Sequence, residues 1–235
     1  MANKIEGPRI DRLYIRPDAS APPHAADELI LSAGLGIKND CHADLLSSRQ
    51  VLIAFDATYH EFNLPAASLR ENILVSNHID EGELRSGDVL FTQDGAKLRL
   101  MFACEPCGRL NKVRTGLCGE IKGKRGYLAR VVGDGTIRLG DRFFLTKEAY
   151  PPFSDDWHER VLFVARQLPA NHFLSYTRLA SLAGVAKTYC RAFPRLLQSH
   201  SDIPSNRILS TDRTSTLAAL PEWDGTSIFA PEALP

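Results

Sequence analysis

No run of the chain is long and apolar enough to cross a bilayer, and the opening residues, MANKIEGPRIDRLYIRPD, hold no apolar core of the kind a secretory leader needs. Net charge is missing too. Lys+Arg and Asp+Glu balance at 28 each, so the chain as a whole is not drawn to polyanions. Cysteine is sparse and odd in number: five, at 41, 104, 107, 118 and 190, without the rhythm of a disulfide scaffold. These absences exclude a membrane span and a secreted disulfide framework. They lead us to expect free thiols in a reducing cytoplasm. What is present, 44% hydrophobic and 24% charged residues, is ordinary globular composition. A length of 235 residues suits one large β-rich domain or two smaller ones.

The chemistry is expected in residues 101–116, MFACEPCGRLNKVRTG. A strand-like run leads into Cys104-Glu-Pro-Cys107, where Pro106 fixes its own φ and restricts Glu105 to extended backbone. Cys107 is thereby presented at a rigid turn, followed by Arg109, Lys112 and Arg114, and nearby cations favour a thiolate. Four readings of the cysteine pair stay open. A structural zinc site needs a second ligand pair, for which Cys118 and His42 are candidates but no second Cys-x-x-Cys exists. A redox pair needs a βαβ context that these strand-rich surroundings lack. The other two are a pair of half-buried small residues and a single working thiol at Cys107.

Before residue 147 the pattern is one of short strands. Alternation over 4–16, apolar runs at 27–32, 49–55, 69–75 and 127–132, and the paired units Gly87-Asp88-Val-Leu-Phe91 and Gly140-Asp141-Arg-Phe-Phe-Leu145 predict strands. Asp94-Gly95 marks a hairpin, and Gly133-Asp-Gly135 a tight turn. A short helix is expected over 56–62. The sum predicts a barrel or sandwich. Tyr150-Pro-Pro-Phe153 sets a linker at 149–156. Beyond it the spacing predicts helices at 157–168, 176–183 and 187–198, ahead of a Pro-rich tail at 221–235.

Asp40, Cys41 and His42 form a polar cluster in a glycine-flanked loop. Arg49 opens an apolar run and needs a partner, which Glu71-Asn72 could supply. Either these residues knit a barrel rim, or they floor a pocket for a phosphate and a pterin-like heterocycle.

The ordered set Gly36-x-x-Asn39-Asp40-x-His42, Arg49-Gln50-Val51, Glu71-Asn72-Ile73, Gly87-Asp88, Pro106-Cys107, Gly126-Tyr-Leu-Ala-Arg130, Gly135 and Gly140-Asp141 resembles the MOSC domain, over about residues 5–147. The resemblance implies a mostly β N-terminal domain, a MOSC-like β-barrel spanning 1–148. It implies the molybdenum cofactor (molybdopterin), with Cys107 as metal ligand or sulfur carrier. Asp40, His42, Arg49, Gln50, Glu71, Asn72, Asn111 and Arg130 become the cofactor-binding candidates. Some stand-alone members reduce N-hydroxylated compounds, base analogues included, which implies a small-molecule substrate and a redox partner. Asn39 stands where the family has Gly, and Asn tolerates left-handed backbone. A thiolate suits a soft-ligand-friendly metal, and Arg and Asn suit phosphate and pterin edges.

The second half carries another likeness. Arg160-Val-Leu, Leu168-Pro169, Ser175-Tyr176, Leu179-Ala-Ser-Leu-Ala-Gly184, Arg191-Ala192-Phe193 and Ile203-Pro204-Ser205-Asn206-Arg207-Ile208-Leu209 resemble the DNA-binding domain of alkylguanine-DNA alkyltransferases and their alkyltransferase-like relatives. That implies a small α-rich winged helix at 157–220, with Tyr176, Arg191 and Arg207 on duplex DNA. The acceptor motif Pro-Cys-His-Arg reads Pro204-Ser-Asn-Arg207 here. A serine without a base is a poor nucleophile, so alkyl transfer is rejected. The cationic residues between 160 and 213 fit a phosphate-contacting module, and a packing or dimerisation module is the competing reading.

Overall fold

The computed structural model describes residues 5–76, 83–210 and 219–230. Contacts divide the chain into two units, 1–45 with 49–153 and 46–48 with 154–235. The first contains β1 (Ile5–Ile15), β2 (His24–Ala26), β3 (Glu28–Ser32), β4 (Gly36–Ile37) and β5 (Val51–Phe55), followed by helix α1 (Asp56–Phe62). Strands β6 (Ile73–Val75), β7 (Val89–Phe91) and β8 (Lys97–Ala103) come next, then helix α2 (Leu117–Glu120) and strands β9 (Tyr127–Gly133), β10 (Gly135–Arg138) and β11 (Arg142–Thr146).

Seven of these strands close into a barrel in the order β1-β11-β7-β8-β9-β5-β6 and back to β1, with β2 added beside β1. Closure depends on β1, which pairs β11 at its start, β6 in its middle and β2 at its end. Two register shifts, between Glu6 and Arg9 and between Ile10 and Arg12, bend one long strand around that corner. Pairs within the ring are antiparallel except β5–β6, which run parallel across the α1 crossover.

Strand β5 is buried along its whole length, because it is covered on both faces. Val51, Ile53 and Phe55 face the barrel core with Ile10, Leu13, Leu98, Leu100 and Phe143. Ala54 faces outward, under Leu69, Leu74, Leu110, Leu117 and Ile121. That outer cluster clamps the segment after Cys107, since Leu110 is its anchor in a 3-10 helix, Gly108–Lys112. Burying a leucine side chain contributes about 2 kcal/mol, enough to fix where the cysteine loop lies.

Gly126 shows how tightly β9 joins β5. Its φ is +100°, and a Cβ there would lie 2.0 Å from the Ile53 carbonyl oxygen. Gly126→Ala combines left-handed strain with a backbone clash. It is expected to lower unfolding free energy by at least about 4 kcal/mol in denaturant titration, or to prevent folding.

The strand predicted over 69–75 shrinks to Ile73–Val75. Arg70 has φ +61° and Ala67 φ +59°, so the chain turns there instead of extending. The Asn72 side chain then takes a ladder position, accepting from the Leu52 N–H at 3.1 Å. The turn at 133–135 forms, but β10 leaves the barrel and pairs with β3 in a three-stranded sheet with β4.

The expected linker at 149–156 begins later. Phe153 stacks on Phe102 at 6.2 Å and donates its N–H to Ser86 Oγ, and Arg99 lies over the Tyr150 ring, so residues 150–153 belong to the barrel.

The second unit has helices α3 (Trp157–Arg166), α4 (Tyr176–Ala183) and α5 (Phe193–Gln198), with strands β12 (Leu174–Ser175) and β13 (Ile208–Leu209) paired in parallel. Asp156 and Ser175 accept from backbone N–H groups at the starts of α3 and α4, and Gly184 ends α4 at φ +65°. The helix predicted over 187–198 is split into a 3-10 turn, Lys187–Ala192, and α5. Pro194 lacks an N–H and sits in the first turn of α5, where none is needed. The tail is part of this unit rather than a separate segment, as far as its described residues go. Trp223, Ile228 and Phe229 are buried, and the Trp223 N–H bonds the Phe173 carbonyl.

Candidate functional site

The barrel brings the expected residues into two neighbouring groups. The first is built on the loop after β4. Asn39 adopts φ +65°, the left-handed conformation its place in the motif requires. Asp40 is buried and fully engaged. One carboxylate oxygen accepts from the His42 N–H and Nδ1, both at 2.9 Å; the other accepts from the Arg16 N–H at 2.9 Å and Asn72 Nδ2 at 3.0 Å. Burial alone raises the Asp40 pKa, but the His42 and Arg16 hydrogen bonds outweigh it and hold the carboxyl below its ordinary value. Arg16 Nη2 sits 2.6 Å from His42 Nε2. A guanidinium only donates, so Nε2 accepts and Nδ1 carries the proton shared with Asp40. His42 is thus held in orientation between Asp40 and Arg16.

The second group surrounds Cys107. Its thiol is half-buried and lies 3.7 Å from Arg125 Nη1. Arg125 also donates to the Glu105 carbonyl at 2.8 Å and, through Nη2, to the Leu69 carbonyl at 3.3 Å. A cavity of about 450 Å³ adjoins Arg125. Arg70, Arg109 and Lys112 line it as well, along with the 19–23 loop and the 67–70 turn, and no carboxylate does among the described residues. Arg70 binds the Ala19 and Ala21 carbonyls and lies within electrostatic reach of Arg16, Arg109, Arg125 and Cys41. Burial, then that crowding of like charges, lowers its pKa. Cys104 is buried, and burial pushes its thiol up, so the two cysteines of the motif are not equivalent.

Other candidates fall outside these contacts. Gln50 is spent on backbone, donating to the Gly34 and Asp44 carbonyls and accepting from the Val131 N–H. Arg130 is buried on β9 opposite Arg99 and donates to the Leu45 carbonyl; burial, then Arg99, brings its pKa down to about 10. Glu71 is buried with both oxygens on the Tyr59 hydroxyl at 2.7 Å, and burial raises its pKa. Asn111 is exposed and accepts from the Cys118 N–H, capping α2. Arg49 lies within electrostatic reach of Cys104. Arg16, Arg70 and Arg125 were missed by sequence reasoning. The only available signal was adjacency: Arg70 precedes Glu71-Asn72, and Arg125 precedes the Gly126 motif.

In the second unit a cavity of about 850 Å³ is lined by Tyr176, Cys190, Arg191, Gln198, Ser205 and Asn206, among others. Tyr176 and Arg191 therefore share one cavity. Arg207 does not join them; its Nη1 donates to the Pro169 and His172 carbonyls.

A closed seven-strand barrel with a cysteine loop clamped on its outside is the class of protein these observations define. Residues 37–143 match the family model described as "MOSC domain". No curated protein matches. Among solved structures, the chain is similar to the YuaD protein from Bacillus subtilis, at 20% identity over 62% of this chain and 98% of that one, with a TM-score of 0.56. It is also similar to a structure described as a hypothetical protein, at 19% identity, 87% and 95% coverage and a TM-score of 0.53. YiiM from Geobacillus stearothermophilus follows at 14% identity, 79% and 97% coverage and a TM-score of 0.50. At these identities the likeness establishes the fold.

Proposed function

We propose that the barrel holds a molybdenum–pterin cofactor with Cys107 as the metal's protein ligand, and that it reduces N-hydroxylated small molecules. The observation that carries this reading is the Cys107 thiol beside a buried arginine that also lines a cationic cavity, with no carboxylate among its described lining residues. The donor set fits such a group. A half-exposed thiol offers a soft ligand, and Arg70, Arg109, Lys112 and Arg125 offer donors for a phosphate. Arg70 Nε and Arg125 Nε are buried without partners among the described residues, and a bound oxyanion would satisfy them. When bound, the group supplies a two-electron redox centre next to the thiol. The chain's own part is to orient. Arg125 holds the cysteine loop and the 67–72 turn together, Arg70 holds the 19–21 backbone over the cavity, and the Asp40–His42–Arg16 network orients an imidazole nearby. Cys107 as a sulfur carrier for another enzyme is the alternative, detectable as a persulfide by mass spectrometry. The main reading is tested by molybdenum and pterin content of protein from a cofactor-competent host. Protein that neither retains nor takes up either would sink it.

For the second unit, the same proposal assigns an alkyltransferase-like winged helix that recognises duplex DNA or a modified base without alkyl transfer. Charge supports a specific face. Arg160 is buried on the Ala183, Ser154 and Asp155 carbonyls, Arg166 pairs with Asp202, and Arg178 pairs with Glu222. Lys187, Arg191 and Arg195 make no ion pair among the described residues, and all three lie on the segment that lines the cavity. Arg191→Ala with Arg195→Ala is expected to reduce the log–log salt slope of duplex binding by about two, one per lost phosphate contact. Fluorescence anisotropy across a salt series reads this. No binding by wild-type protein at low salt removes the assignment.

A further inference from the structure

Arg125 is more than nine-tenths buried. Its bonds go to two neutral carbonyls, of Glu105 and Leu69, and its Nε has no partner among the described residues. Glu71 lies within electrostatic reach, but both its oxygens face the Tyr59 hydroxyl. The other charged groups lining the cavity are cations: Arg70, Arg109 and Lys112. Burying a guanidinium whose nearest carboxylate is engaged by Tyr59 is costly, and a small oxyanion in the cavity would offset part of that cost. Gly126 beside it packs closely against the Ile53 carbonyl, which fixes the backbone from which Arg125 extends. The guanidinium is therefore a fixed strut between the two segments that frame the cavity, with one nitrogen turned to the Cys107 sulfur.

We infer that Arg125 is the positioning residue of Cys107, and that the cavity it lines is an anion site governing which reactants reach the thiol. This rests on the reading of Cys107 as the working thiol, and it holds with or without the metal group. The ligand class is a small oxyanion, such as phosphate, a phosphate monoester or a carboxylate, held by Arg125 and Arg70 and steered by Arg109 and Lys112. Anionic electrophiles then approach Cys107 faster than neutral ones of equal size, and an occupied site blocks them.

The test compares iodoacetate with its neutral isostere iodoacetamide on the full chain purified without cofactor, scoring the Cys107 peptide by mass spectrometry. Wild-type protein is expected to favour iodoacetate at Cys107 by about tenfold relative to free cysteine, and inorganic phosphate is expected to slow iodoacetate selectively. Arg125→Gln removes both effects. Arg125→Lys, which keeps the charge and loses the strut, retains the preference but slows both reagents together. An unchanged preference in Arg125→Gln, or its equal loss in Arg125→Lys, overturns the inference. Should Arg125→Gln not fold, phosphate acting equally on both reagents in wild-type protein overturns it as well. Molybdenum content is scored separately on protein from a cofactor-competent host. Metal retained without the reagent preference defeats this inference alone; the preference without metal defeats the cofactor reading alone.

Discussion

Cys107→Ser protein from a cofactor-competent host is expected to carry less than about one tenth of the wild-type molybdenum, whereas Cys104→Ala protein keeps it. The two cysteines are three residues apart and chemically identical, so the contrast isolates their settings. Cys104 ends its strand buried, its N–H paired with the Gly126 carbonyl and its thiol pushed up by burial. It offers no surface to a ligand, and its loss costs only about 1–2 kcal/mol of packing. Cys107 precedes a 3-10 helix, half-exposed, with a guanidinium 3.7 Å from its sulfur. Serine is close in size but is a hard, protonated donor at neutral pH, which a soft-ligand-friendly metal rejects. Thermal unfolding should move little in Cys107→Ser, because the outer cluster is anchored by Leu110 and not by the thiol. Equal molybdenum in the two variants would move the ligand elsewhere.

The sequence carried the local features and missed the convergent ones, for a physical reason. Helix Tyr176–Ala183 was legible to the residue because apolar spacing and the Gly184 stop act within a few positions. The Asp94-Gly95 turn was legible likewise, and the strand expected over 49–55 forms at Val51–Phe55. Arg125 was not, since its role is defined by Leu69, 56 residues away, and by a sulfur 18 residues away. Nor was the left-handed turn at Arg70, because non-glycine residues enter that region only where surrounding structure holds them there. The bend that lets β1 close the ring is likewise a property of three partners at once. Residues quoted for the site divide the same way. Asp40 and His42 form a local pair that sequence adjacency suggested, whereas Gln50 turned out to brace backbone at positions 34, 44 and 131.

Asp40→Ala is expected to destabilise the barrel by about 3–4 kcal/mol, because one carboxylate satisfies four donors. Three of them, the Arg16 N–H, the His42 N–H and Asn72 Nδ2, come from three segments: the end of β1, the loop after β4 and the turn before β6. Removing the acceptor leaves those donors without it and frees His42 from its fixed tautomer. The pH dependence follows from the lowered pKa of Asp40 in the folded state. The unfolded chain binds the proton more readily than the folded one, so this stabilisation is fully present above the unfolded carboxyl value. It is lost as pH falls below that value and through the folded one. Denaturant titrations of wild-type and Asp40→Ala protein should therefore differ most near neutrality and converge in acid. A gap that stays constant to the lowest pH at which both fold would show that Asp40 acts by packing alone. In that case its hydrogen bonds to Arg16 and His42 would not be what holds the loop beside Arg70 and Cys41.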